Sequence, residues 1–178
     1  MTSRPAPLEQ FYDLRRLSEA GIEIKIDADV AARERLAVWL DIESVKSLNA
    51  IVTLKRKSPS KFAYEASFVC DLVQSSVVSL EPIEAHIDEQ FTREVHLNER
   101  GRHAAQKGEA LTLDAGDDES PEEIDNPQYD LAAPILEELS LALDPYPRAR
   151  GEEFTEPDLL GPEKVNPFAV LKVLKEKG

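Results

Sequence analysis

Ile22, Ile24 and Ile26 alternate with Glu23, Lys25 and Asp27, the two-residue period of a strand with one buried face. Asp29 follows in position to cap a helix through DVAARERLAVWL, whose apolar side carries Ala32, Leu36, Trp39 and Leu40. Val45 and Leu48 predict a short further helix. A second strand starts at 51 and turns basic through IVTLKRK, and Pro59 presets a turn in the loop 58–60. Phe62, Tyr64, Ala66, Phe68, Cys70 and Leu72 share one face of the returning strand. Pro82 interrupts, since proline cannot donate to a ladder. Ile83, Ala85, Ile87, Phe91, Val95 and Leu97 then line one side of a strand over 83–97. Antiparallel-looking strands with little helix between them predict an α+β fold built on one antiparallel sheet, open to strong curling, with flanking helices.

Beyond 113 the pattern changes. DAGDDESPEEIDNPQYD, 114–130, holds eight acids and no Lys or Arg, so 114–129 reads as a solvated acidic linker. DLAAPILEELSLAL, 130–143, is an amphipathic helix with Asp130 as its cap and Pro134 in the first turn. Leu131, Ile135, Leu139 and Leu143 form its stripe. A loose segment over 148–164 leads to NPFAVLKVLKEKG, a C-terminal amphipathic helix with a basic end. The 178 residues form a single domain in this reading.

Charge narrows the partners. The net charge is −14. Residues 1–80 hold 11 acidic and 11 basic side chains, whereas residues 81–130 hold 15 and 4. Such a surface repels phosphate and attracts cations or basic proteins. The N-terminus has no apolar core of a secretory signal, and Cys70 is the one cysteine. Together these predict a cytoplasmic protein without a disulfide. No window is apolar for long enough to predict a membrane helix.

Three segments in order carry a family resemblance: VSLEPIEAHIDEQF at 78–91, YDLAAPILEELSLALDPYPR at 129–148 and VNPFAVLKVLK at 165–175. The chain resembles the YceD family, the large ribosomal RNA subunit accumulation proteins, in an alphaproteobacterial-like branch. Many members carry a C-x-x-C where this chain has Ser76 and Ser79. Serine hydroxyls are poor ligands for zinc, so the expectation is a turn in which both serines bond locally to backbone. The resemblance implies a role in accumulation or processing of 23S rRNA, hence in large-subunit assembly. It implies no catalytic residues.

Other constellations have plainer explanations. His86 and His96 stand ten apart on one polar face, too far to share a metal, and His103 falls in a loop. Asp117/Asp118 and Glu122/Glu123 fall in the linker and lack the rigid frame that catalytic carboxylates need, and Glu137 and Glu138, adjacent on a helix, point about 100° apart. Cys70 reads as a small core residue, and no serine lies in a nucleophile motif. Lys55, Arg56, Lys57 and Lys61 are the candidates for a weak or indirect rRNA contact, with Tyr64 nearby for stacking. Asp130, Leu131, Glu137, Glu138, Asn166, Pro167, Phe168 and Leu171 are the candidates for docking a partner. The function expected is a non-enzymatic accessory factor without cofactor or small-molecule substrate. It would bind a basic ribosomal protein or large-subunit assembly factor through an acidic surface. The alternatives are a metal-dependent RNA-processing enzyme and a binding module unrelated to ribosomes.

Overall fold

The computed structural model describes residues 6–98 and 121–152. Three long strands dominate: β3 (Ser44–Ser58), β4 (Lys61–Ser75) and β5 (Pro82–Leu97). They lie between β2 (Ile22–Asp27) and β6 (Glu122–Ile124), in the order β2-β3-β4-β5-β6. All neighbours are antiparallel except β5 and β6, which run parallel. A separate ribbon pairs β1 (Phe11–Asp13) with β7 (Gln128–Asp130). The class is α+β.

The apolar face of β4 is as its alternation requires, with Phe62, Tyr64, Ala66, Phe68, Cys70 and Leu72 all buried. Leu48, Ala50, Val52 and Leu54 of β3 join them, and the helix α2 (Ala133–Ala142) lays Ile135, Leu136 and Leu139 into the same core. The helix α1 (Val30–Leu40) contributes Ala32 and Leu36. Asp29 caps it as expected, its carboxylate accepting from Ala32 N at 2.7 Å. Trp39 remains exposed rather than joining the apolar side.

Four expectations change. The sheet is not strongly curled. Curling takes bulges or glycine kinks repeated across a sheet; the register shifts of β3 lie at its two ends, and β4 pairs with β5 in unbroken register from Lys61↔His96 to Ser75↔Pro82. No glycine occurs between 44 and 97. The helix expected at Val45 and Leu48 is instead the start of β3. A register shift between Val45 and Ser47 inserts an extra residue, so two positions three apart both face inward and imitate a helical spacing. The distal part of the segment read as a linker is ordered as β6 and β7. Its acids suit an exposed edge strand, while Tyr129 is buried and donates to Glu122 Oε2 at 2.6 Å. Asp130 does not cap α2. Ala132 holds that position, and Asp130 Oδ1 instead accepts from Gln10 N at 2.8 Å and Ala132 N at 3.0 Å.

One glycine is required. Gly21 enters β2 with φ +78°, and a Cβ there would meet Leu54 O at 2.5 Å.

Candidate protein-interaction surface

The face of the sheet opposite α2 is polar and open. Its rows follow from register: Ser47, Asp71 and His86 stand side by side across β3, β4 and β5. Asp71 takes Ser47 Oγ on one oxygen at 2.8 Å and faces His86 Nδ1 with the other at 2.7 Å. The three residue types are those of a hydrolase triad, but the order is wrong. A nucleophilic serine needs the imidazole on its hydroxyl, and here the carboxylate sits between the two. The hydrogen bond from His86, followed by that from Ser47, holds the Asp71 carboxyl below its ordinary range. Reciprocally, the bond to Asp71 raises the His86 imidazole.

A second cluster closes the other end of that face. Glu94 meets Lys57 Nζ at 2.7 Å, His96 Nε2 at 2.6 Å and Lys61 Nζ at 3.9 Å. The bonds from His96 and Lys57 lower the Glu94 carboxyl to about 2. The basic cluster 55–61 is therefore largely occupied. Arg56 donates to Leu14 O at 3.0 Å and lies over the Phe62 ring. Lys55 is exposed and makes no ion pair with a described carboxylate. Tyr64, expected to stack on RNA, is fully buried and donates to Leu131 O at 2.8 Å. Burial raises its hydroxyl well above the ordinary range.

The docking candidates divide. Leu131 is fully buried under Tyr64 and cannot meet a partner. Asp130 is spent on backbone amides. Glu137 and Glu138 grip one guanidinium: Arg93 Nη1 lies 2.6 Å from Glu137 Oε2 and Nη2 lies 2.8 Å from Glu138 Oε1. Burial disfavours the charge on Arg93, yet the bonds it donates to Glu138 and Glu137 outweigh it and raise the pKa. Adjacent residues on a helix point about 100° apart, and a guanidinium's fork spans that divergence. Asn166, Pro167, Phe168 and Leu171 lie outside the described residues, as do His103 and Asp117/Asp118.

Around β5 and β6 the described surface leaves several acids unpaired. Glu81, Asp88, Glu89, Glu123 and Asp125 are exposed, and none is within ion-pair distance of a described cation. They belong to β5, to β6 and to the turns beside them. Among the described residues no group of three His, Cys, Asp or Glu side chains could hold a metal ion. No described helix is long and apolar enough to cross a membrane.

The turn between β4 and β5 goes beyond its expectation. Ser76 is buried, and its Oγ accepts from Val78 N at 3.1 Å and Ser79 N at 3.2 Å. Ser79 Oγ accepts from Glu81 N. These are the local bonds foreseen. The same hydroxyls also donate to Glu152, at 2.5 Å each. Val77 N bonds Pro147 O at 2.9 Å, so the segment after α2 is fastened to this hairpin. The bonds from Ser76 and Ser79 lower the Glu152 carboxyl.

Comparison with protein-family models, with curated proteins and with solved structures finds no match to this chain.

Proposed function

We propose that the protein is a non-enzymatic accessory factor in large-ribosomal-subunit assembly, supporting 23S rRNA accumulation by presenting an acidic surface to a basic partner. The ribosomal setting comes from the resemblance to the YceD family. The electrostatic mode comes from the surface. One observation carries it: five exposed carboxylates on β5, β6 and the turns beside them are unpaired with described cations, while Arg56, Lys57 and Lys61 are engaged within the fold. Phosphate binding draws on lysines and arginines that can shed counterions, and Arg93 of β5 is held by Glu137 and Glu138. A basic ribosomal protein or assembly factor is the better match. The Ser47–Asp71–His86 row has no hydroxyl activated by a base, which favours binding over hydrolysis.

Recovery of partners from growing cells tests the reading. The tagged protein is expected to bring down large-subunit proteins, and a variant with Lys55, Lys57 and Lys61 replaced by Ala should retain them. Recovery of rRNA alone, lost in that variant, would favour direct RNA binding. Cleavage of RNA by purified protein, blocked by EDTA, would make it an enzyme.

A further inference from the structure

The described chain ends at Glu152, held against the β4–β5 hairpin by Ser76 and Ser79. Beside that exit Ser75 Oγ donates to Glu43 Oε1 at 2.7 Å. Glu43 is in turn part of the rim of a groove of about 400 Å³ between α1 and the start of β3. Val30, Ala37, Val38, Ile42 and Val45 supply its apolar walls, and Glu34 joins Glu43 at the rim. Val30 and Val38 are more than half exposed. Arg33 also lines the groove. Its Nη1 donates to Lys46 O, but its Nε is buried and has no hydrogen-bond partner. A buried donor without an acceptor is costly, so what the groove offers an occupant is its apolar wall and the two carboxylates of its rim.

We propose that the groove is the docking site of this chain's own C-terminal segment, Asn166–Leu174, seated as an amphipathic helix. Three features select that occupant. The first is reach: residues 153–165 intervene, and thirteen residues can span on the order of 40 Å, from an exit that already adjoins the rim. The second is shape: Phe168, Leu171 and Leu174 recur at a spacing of three, and Val170 with Leu174 at four, which places them on one side of a helix. The third is charge: residues 164–178 hold Lys164, Lys172, Lys175 and Lys177 against one acid, Glu176. Lys172 borders the apolar stripe beside Phe168, and its charge matches Glu34 and Glu43. The segment thus covers the exposed valines of α1.

Paramagnetic relaxation in the full chain tests this. A nitroxide is attached at Ala31→Cys, on the exposed side of α1 next to the groove. Cys70 is buried, and burial pushes its thiol up to about 12, so it stays unlabelled. The amide signals of residues 168–174 are expected to lose most of their intensity. Adding Val30→Lys to the labelled protein should restore the 168–174 signals and leave the amide pattern of the sheet unchanged. Undiminished signals for 168–174 would overturn the proposal. So would loss confined to residues 1–5, which would make the N-terminal residues the occupant. So would loss seen only on mixing labelled and isotope-enriched molecules, which would mean a second copy.

Discussion

At the scale of single residues, the polar pairings of the sheet define what can be measured. His86 sits against Asp71 with both side chains substantially exposed. Its raised pKa means that the charged pair contributes stability at pH below the unfolded imidazole value, near 6.5. That contribution is lost as pH rises through the higher folded value. Titration of the His86 ring signals by NMR is expected to give a midpoint above 6.5, and Asp71→Asn should bring it down to the ordinary range. A midpoint at or below 6.5 in the unaltered protein would contradict the pairing. Tyr64→Phe removes the hydroxyl that satisfies Leu131 O in the core. The buried carbonyl is left without that donor, so the cost should be about 1–3 kcal/mol, read as a lower urea midpoint with an unchanged slope. The burial of Tyr64 was legible from alternation with Phe62 and Ala66, and that burial overturns the RNA-stacking role expected of the ring. The Ser47–Asp71–His86 row was not legible, because cross-strand neighbours depend on register. Arg93 did leave a signal. It interrupts the apolar side of β5 between Phe91 and Val95, and a cation on an inward face requires an anionic partner. Glu137 and Glu138 are that partner.

At the scale of elements, strands whose period ran unbroken were readable. β2, β4 and β5 and their inward faces follow from alternation alone. β3 was cut short because its bulge near Val45 produces a helical spacing, and β6 and β7 were hidden because an edge strand rich in acids looks like a linker. The turn at 76–81 was readable from serine chemistry. Its tie to Glu152 was not, since the partners lie 76 and 73 residues apart. That tie makes a prediction. Glu152 has a lowered pKa, so the fastening is present above the unfolded carboxyl value of 4.5 and is lost as pH falls through the lower folded value. Glu152→Ala should release the segment after α2 at neutral pH. Hydrogen exchange at the Val77 amide, which bonds Pro147 O, should then quicken, while amides in the middle of β4 stay protected. Unchanged protection at Val77 would show that the serines do not hold the segment.

At the scale of the whole molecule, the balance of charge was legible and its placement only partly so. Counting showed an acidic stretch over 81–130. The structure adds which acids are occupied: Glu94 by Lys57, Lys61 and His96, and Glu137 and Glu138 by Arg93. Glu137 and Glu138 are held by Arg93, so the contact we propose falls to Asp88, Glu89 and Glu123, which no composition could have distinguished. An interaction through these groups must weaken with salt, because exposed charges are screened beyond about 10 Å at 0.1 M ionic strength. The most direct test is the affinity for isolated basic large-subunit proteins as a function of salt, for the unaltered chain and for Asp88→Lys, Glu89→Lys and Glu123→Lys combined. The account predicts tight binding at low salt that falls steeply as salt rises, and at least a tenfold loss in the triple variant, equal to about 1.4 kcal/mol. Binding that is indifferent to salt and to the three reversals, or no binding at all, would contradict it.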